Sequence, residues 1–258
     1  MIRTLRSGVS ICALLLAIAA PVCAQTAAEN IAKAQQTAAE IERLLDRIQS
    51  RRSSGETGAP TAAVAADGWE SLFDGKTLNG WKRTEFVSGG GVHVDTAFRG
   101  GPPAIVVDAG RILSGLTWTK DVPKTNYEIA LDAMKVDGSD FMCGLTFPVG
   151  DSFASLILGG WGGTVTGISS IDGHDASENE TSQFMSFDKG RWYAIRLKVT
   201  PAKLETWIDG KKVIDQPITG KTISLRVGEI FKSKPLGLAT YQTSAAYRGI
   251  KLRRLDAK

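Results

Sequence analysis

Residues 191–215, RWYAIRLKVTPAKLETWIDGKKVID, contain two alternating runs and a turn signal. In the first run, apolar residues stand at every second position from Tyr193 to Val199, a pattern typical of a strand with one buried face. The second run reverses at Asp209-Gly210, because glycine readily adopts the positive φ that a two-residue hairpin turn requires. The segment therefore predicts a strand followed by a β-hairpin.

The same pattern of short alternating runs continues over residues 67–258, where periodic runs long enough for a helix are absent. NYEIALDA (126–133) alternates in the same way, and GLATYQTSAAYRGIKLRR (237–254) is typical of a last pair of strands. Short strands separated by turns over about 190 residues favour a single antiparallel sandwich or barrel. A chain of this length buries an adequate core without covalent cross-links.

The first 24 residues are typical of a secretion signal. Arg3 and Arg6 precede a short apolar run from Val9 to Ala20, and small residues at Val22-Cys23-Ala24 provide a cleavage site. The run is too short to span a bilayer comfortably. We expect cleavage after Ala24 and export to the periplasm or the extracellular space, with no stable membrane span afterwards. Lipidation of Cys23 is the alternative.

Residues 25–52 and 53–66 differ in composition from the strand-rich region. The first segment is rich in helix-forming residues and carries a narrow apolar stripe, which predicts an amphipathic helix, either solvated or weakly self-associating through residues 28–49. An oligomerisation helix and a spacer from the cell surface are the alternatives. The second segment is rich in Ser, Gly, Pro, Thr and Ala without an apolar face, which predicts a flexible linker.

Net charge and cysteine content exclude two classes of protein. The formal net charge is only +4, and the basic cluster near the C-terminus fits the open face of a strand, so we expect no nucleic-acid partner. Signal cleavage leaves Cys143 as the one remaining cysteine, which makes no intramolecular disulfide. In FMCGLTF it is typical of a small buried apolar residue and not of a catalytic thiol.

Residues 68–82, GWESLFDGKTLNGWK, combine apolar anchors such as Phe73 and Trp81 with tight turns at Asp74-Gly75 and Asn79-Gly80. This opening resembles that of the 3-keto-disaccharide hydrolase family. The segments 190–213 and 235–255 are similar to the family's Trp-containing strand with its hairpin and to its closing strands. The resemblance implies a concanavalin A-like antiparallel β-sandwich, with one sheet able to bind a saccharide.

The same resemblance implies cleavage of glycosides whose C3 hydroxyl has been oxidised to a ketone. The C3 carbonyl acidifies the C2 proton, so that elimination of the C1 substituent followed by hydration becomes feasible. Such a site needs a base near C2, a donor or metal at the developing enolate, and an acid for the leaving oxygen. Family members carry an Arg after their central strand, whereas the corresponding segment here, 137–173, contains none.

The stretch SSIDGHDASENETSQ (169–183) is the main candidate for a catalytic loop. It lies between two apolar runs, and loops at the end of a sheet commonly carry binding groups. The candidate catalytic residues, as bases, acids or proton shuttles, are Asp172, His174, Asp175, Glu178 and Glu180. A well-solvated turn is the alternative, and a two-carboxylate glycosidase arrangement is disfavoured because the neighbours of Glu178 and Glu180 are polar.

A divalent cation is a candidate cofactor for this loop. Asp172, Asp175 and Glu178 supply hard oxygen ligands, although their spacing does not match a calcium-binding loop. The metal and its role stay open at this stage.

Trp161 is the main candidate for saccharide binding. In LGGWGGT (158–164) it is framed by Gly160 and Gly162, which leave its ring and the backbone open to a ligand. His93, which alternates with two valines on a predicted strand, is a further candidate contact. The sequence thus favours an exported carbohydrate-active hydrolase or lyase, with a non-catalytic saccharide-binding module on a helical stalk as the alternative.

Overall fold

The computed structural model describes residues 67–255 and, upstream of them, residues 35, 36, 39, 42 and 43. The upstream five are helical and exposed. The predicted signal peptide, the linker, the apolar stripe and the self-association segment lie outside the described residues. Among the residues described, no helix is long and apolar enough to cross a membrane.

Residues 70–254 form fifteen strands within the described part of the chain. In chain order they are β1 (Glu70–Ser71), β2 (Trp81–Arg83), β3 (Val92–Asp95), β4 (Ala104–Val107), β5 (Leu113–Trp118), β6 (Tyr127–Gly138), β7 (Cys143–Val149), β8 (Ser152–Gly160), β9 (Val165–Ser169), β10 (Gln183–Phe184), β11 (Trp192–Val199), β12 (Lys203–Ile208), β13 (Lys211–Pro217), β14 (Leu236–Tyr241) and β15 (Thr243–Arg254).

The strands form two antiparallel sheets. Sheet I has the order β13-β12-β11-β6-β15-β4-β3, with β1 paired to β15, and sheet II has the order β10-β9-β8-β7-β14-β5-β2. The two sheets enclose one continuous apolar core, as in a jelly-roll sandwich. The predicted concanavalin A-like β-sandwich is confirmed.

Residues 191–215 form the strand and the β-hairpin that their alternating pattern predicts. The four apolar residues of β11 from Tyr193 to Val199 face the core, and the strand pairs with β6 and β12. The hairpin reverses at Asp209 and Gly210, whose φ angles are 50° and 78°. A bulge between Thr206 and Trp207 sets the register of the hairpin.

Two buried tyrosines connect the sheets through hydrogen bonds. Tyr127 of sheet I donates its hydroxyl to the carbonyl of Pro148 in sheet II at 2.6 Å, and Tyr247 donates to the carbonyl of Met142 at 2.6 Å. Cys143 lies in the same core, fully buried, as predicted. These bonds satisfy polar atoms that would otherwise be costly to bury.

The last two strands belong to different sheets. β14 pairs with β5 and β7 in sheet II, whereas β15 pairs with β4 and β6 in sheet I. Gln242, with φ of 46°, is the single residue between them. The segment 237–254 therefore closes both layers of the sandwich, instead of forming a hairpin in one.

Candidate functional site

The outer face of sheet II has a floor of small residues. Strand pairing aligns Gly115, Ala239, Gly144, Ile157 and Gly167 in one row across β5, β14, β7, β8 and β9. The neighbouring residues on each strand point into the core, so this row faces outward. These four glycine or alanine positions are buried, because neighbouring groups such as Phe141 above Gly144 and Ala176 above Gly167 cover them.

A cavity of about 400 Å³ lies over this face. We call it the sheet II cleft. Its walls combine the strands with the segment from Arg226 to Ile230, which lies between β13 and β14. The polar side chains that line the cleft are those of Asp140, Ser155, Ser169, Arg226, Glu229 and Tyr241. An enclosure of this size with a few polar groups is typical of a small-molecule site.

Trp161 stands at the cleft on the turn between β8 and β9. Its φ of 48° and the positive φ of Gly162 and Gly163 make the turn tight, and the indole is 41% exposed. The backbone N–H of Gly162 donates to Asp140 at 2.9 Å, which fixes the turn. Trp161 is therefore an open aromatic surface at the cleft and belongs to none of the apolar core clusters.

Arg226 faces Trp161 across the cleft and is held by Asp175. Its Nη1 lies 3.1 Å from Oδ2 of Asp175, and the guanidinium carbon lies 5.9 Å from the centre of the Trp161 ring. The other oxygen of Asp175 accepts hydrogen bonds from the hydroxyls of Ser169 and Ser170, at 2.9 and 3.1 Å. Asp175 thus orients a cationic donor towards the cleft.

Asp140 is a carboxylate at the cleft that binds the backbone of the Trp161 turn. It accepts from the backbone N–H groups of Phe141 and Gly162, at 2.7 and 2.9 Å. The ammonium of Lys135 is buried close to this turn, and burial lowers its pKa, an effect that the negative charge of Asp140 opposes.

The acidic stretch 172–180 forms turns, as predicted, but its carboxylates point to different places. Asp172 and Glu180 both bind Lys221, at 3.0 and 2.9 Å. The pKa of Asp172 is lowered mainly by the hydrogen bond from the backbone N–H of Thr222 and next by Lys221. The pKa of Glu180 is lowered mainly by Lys221. Neither carboxylate lines the cleft. Asp175 is the one residue of this stretch that is linked to the cleft, because it binds Arg226 and Ser169, whose side chains line it.

The side chains of His174 and Glu178 are exposed and do not line the cleft. The loop itself is well ordered by Asn179, whose amide donates to the carbonyls of Ile168, His174 and Asp175 at 2.7 to 3.0 Å. Thr181 completes the attachment, because it donates to Asn179 and accepts from the N–H of Ile168. The loop is therefore bound along β9 and does not fold over the cleft as a catalytic flap.

The candidate metal ligands Asp172, Asp175 and Glu178 are not brought together. Asp172 faces Lys221, and Asp175 faces Arg226, so each charge is already neutralised by a cation. Between residues 67 and 255, no three His, Cys, Asp or Glu side chains converge as metal ligands would. The donor set expected of this loop does not form among these residues, where Lys221 and Arg226 pair with two of the three carboxylates.

The other residues that were predicted to contact a saccharide lie on both sheets. Gly160 is buried under Ile157, and Gly162 supplies the backbone N–H that binds Asp140, so both support the Trp161 turn. His93 lies on β3, the edge strand of sheet I, 3.9 Å from Asp108. It is therefore not part of the sheet II cleft.

A family model described as the 3-keto-alpha-glucoside-1,2-lyase-like domain matches residues 68–253. The chain belongs to this family. The resemblance drawn from residues 68–82, 190–213 and 235–255 is thereby confirmed, and the lyase-like domain coincides with the sandwich. It is a carbohydrate-active domain family.

Solved structures similar to the lyase-like domain include proteins of carbohydrate metabolism. A candidate glycosyl hydrolase from Parabacteroides distasonis ATCC 8503 is 15% identical, with a TM-score of 0.46 over 74% of this chain and 95% of that one. The carbohydrate-binding module CBM66 from Bacillus subtilis is 12% identical, with a TM-score of 0.46 over 67% and 95%. Domain 4 of the arabinanase AbnA from Geobacillus stearothermophilus, in complex with arabinotriose, is 12% identical, with a TM-score of 0.46 over 69% and 84%. No curated protein matches the chain.

Several residues that line the cleft of the lyase-like domain were not singled out from the sequence. Arg226 lies in a segment without strong pattern, far from the central strands where an arginine was sought. Asp140 sits in the turn DGSDF before β7, and Tyr241 ends β14. The sequence offered only weak signals for these residues, namely an acidic residue and a lone arginine in turns next to predicted strands.

The outer face of sheet I carries a second depression, of about 360 Å³. Its aromatic wall is Trp207, but the guanidinium of Arg196 lies 3.7 Å from the centre of that ring. Arg196 is in turn held by the buried carboxylate of Glu128 at 3.1 Å. Arg196 thus covers the Trp207 ring at much closer range than Arg226 lies from Trp161, at 5.9 Å, so the aromatic surface of this depression is less open than that of the sheet II cleft.

Proposed function

We propose that the lyase-like domain cleaves 3-keto-glycosides in the sheet II cleft, after export to the periplasm or the extracellular space. The observation that carries the proposal is the pairing of an exposed indole, Trp161, with a guanidinium, Arg226, oriented by Asp175. The ring face of Trp161 suits the C–H face of a sugar. Arg226 suits the oxygen at C3, where negative charge develops once the C2 proton is removed.

The other cleft residues provide the proton transfers of an elimination. Asp140 takes the C2 proton while the C1–O bond breaks, and the leaving oxygen takes the proton of the Tyr241 hydroxyl. The products are the free alcohol and an enone with a double bond between C1 and C2. Addition of water across this bond, with OH at C1 and H at C2, gives the free 3-keto sugar and restores both side chains.

Release of sugar from a 3-keto-disaccharide and from its unoxidised parent tests this proposal, with and without a chelator. We expect cleavage of the oxidised form alone. Arg226→Ala and Asp140→Asn should each lower kcat/KM by about 10²- to 10³-fold, because each removes a group that acts in the transition state. The matched control is Arg254→Ala, an exposed arginine at the end of β15, which should leave the rate unchanged.

A non-catalytic saccharide-binding module is the second candidate function. It is favoured by the fact that both carboxylates lining the cleft already accept hydrogen bonds, Asp140 from two backbone N–H groups and Glu229 from Val87 and Lys232. Saccharide binding with no release of sugar from either substrate would support the module and contradict the enzyme.

A further inference from the structure

The sheet II cleft has two chemically different ends. One end carries the polar groups and the indole described above. The other is lined by aliphatic side chains, those of Ile112, Leu113, Val227 and Ile230. Glu229 is the charged residue at this end, and its carboxylate is held by the Val87 N–H at 2.9 Å and by Lys232.

The strand order of sheet II separates these ends. Ser169 and Ser155 lie on β9 and β8, whereas Leu113 lies on β5, with β7 and β14 in between. Neighbouring strands are about 4.8 Å apart, so β8 and β5 are about 14 Å apart. Tyr241 on β14 pairs with Leu113 and lies between the ends. A ligand that spans the cleft thus meets polar groups, then Tyr241, then an aliphatic surface.

The aliphatic end is unusually open to solvent. Within the described residues, six large apolar side chains are exposed, and two of them lie at this end, Ile112 at 45% and Val227 at 90%; a third, Trp161, lines the other end of the same cleft. Single exposed apolar residues are ordinary on protein surfaces, but a group of them around a cavity marks a binding surface.

The chemistry of this end selects against a second sugar. Each sugar hydroxyl that leaves water needs a hydrogen-bond partner, and leaving one without a partner costs about 1–3 kcal/mol. The aliphatic side chains provide no such partners, and the Glu229 carboxylate is already bound by the Val87 N–H and Lys232. The aliphatic wall instead gains about 25 cal/mol per Å² of apolar surface that a ligand buries.

We propose that the aliphatic end holds the leaving group, so that the preferred substrate is a 3-keto-glycoside with an apolar aglycone and not a 3-keto-disaccharide. This rests on the proposed function, which places the sugar at Trp161 and Arg226 and the leaving oxygen at Tyr241. The order of groups across the sheet then directs the C1 substituent towards Leu113 and Val227.

Two substrates with leaving groups of similar acidity test this inference. They are 2-phenylethyl 3-keto-glucoside and a 3-keto-disaccharide of the same anomeric configuration, both with an aliphatic alcohol as leaving group. We expect kcat/KM at least tenfold higher for the phenylethyl compound, mainly through a lower KM, since an apolar pocket discriminates by about 10- to 200-fold. The variant Ile112→Ser/Val227→Ser should lose most of this preference, measured as the ratio of kcat/KM for the two substrates.

Phe184→Ser is the matched control, because Phe184 is 84% exposed on β10 and does not line the cleft. It should keep the wild-type preference. Equal or faster cleavage of the disaccharide would overturn the inference and leave the proposed function intact.

A binding measurement with uncleaved ligands decides the inference even if neither substrate is cleaved, which would contradict the proposed function. By calorimetry, unoxidised 2-phenylethyl glucoside should bind the wild-type protein about tenfold more tightly than methyl glucoside. The same affinity for both ligands would overturn the inference.

Discussion

Arg226 shows how one side chain at the cleft depends on several others. Its partner Asp175 is only 20% exposed and is held by two serine hydroxyls, so the ion pair is more rigid than one on an open surface. Trp161, by contrast, is held by its backbone turn and not by packing of its ring. Loss of the Trp161 ring should therefore affect the ligand and not the fold.

The first prediction concerns Trp161→Ala. We expect about tenfold weaker saccharide binding, because an aromatic contact contributes about 0.5–1.5 kcal/mol beyond its buried area. Tm should change by less than about 2 °C, since the side chain lies outside the core. Titration calorimetry and thermal unfolding measure the two effects. Trp69→Ala, a tryptophan stacked under Lys251 and Arg253, is the matched control and should leave binding unchanged.

At the scale of elements, the loop 171–182 and the segment 219–227 support each other beside the cleft. Ser170 and Ser224 exchange backbone hydrogen bonds, and Lys221 joins the two carboxylates of Asp172 and Glu180. These contacts connect the loop that carries Asp175 to the segment that carries Arg226. The acidic residues near the cleft thus serve mainly to align two loops.

The second prediction concerns Lys221→Met and pH. The pKa of Asp172 is lowered from 3.8 by the backbone N–H of Thr222 and then by Lys221, and the pKa of Glu180 is lowered from 4.5 first by Lys221, so these contacts stabilise the fold above these values. This stability is lost as pH falls through the lower, folded pKa values. Lys221→Met should therefore have a lower urea midpoint than wild type at pH 7, and the difference should shrink below about pH 4. Equal midpoints at pH 7 would contradict the role of this lysine.

At the scale of the whole molecule, the two sheets share one core but differ on their outer faces. Sheet I is covered by charged side chains stacked on indoles, such as Arg196 on Trp207 and Arg248 on Trp192. Sheet II carries the cleft, which is lined by strand residues such as Ser155 and Tyr241 and by the segment from Arg226 to Ile230. The same sandwich thus presents one closed face and one open face, and the open face is the one that can take a ligand.

The third prediction uses Cys143 as a reporter of this shared core. Burial raises its pKa to about 12, so only about one thiol in 10⁴ is ionised at pH 8, and the side chain is inaccessible. A thiol reagent should label Cys143 only when the sandwich unfolds, with a rate that follows the unfolding rate in urea. Mass spectrometry of the Cys143 peptide measures the label, and rapid labelling without denaturant would contradict a single cooperative core.

The fold was largely predictable from the sequence. Period-2 alternation in 126–133 and 191–199 and the Asp209-Gly210 turn are local signals, because a strand and its turn depend on residues close in sequence. The sequence did not show to which of the two sheets each strand belongs. The segment 237–254 is one continuous pattern, yet Gln242 divides it between the two sheets.

The candidate site was predicted in part. Trp161 could be chosen because its glycine neighbours are adjacent in the chain. Asp175 was one of five candidates, among which the sequence favoured Asp172 or His174 as the base and Asp175, Glu178 and Glu180 as the acid or as ligands of a cation. Only the tertiary structure brings Arg226 to Asp175 and Trp161, sends Asp172 and Glu180 to Lys221, and places Leu113 beyond Tyr241. Sequence alone determined the strands, because alternation is a local property of the chain. The cleft was decided by strand order and loop pairing, which join residues far apart in sequence.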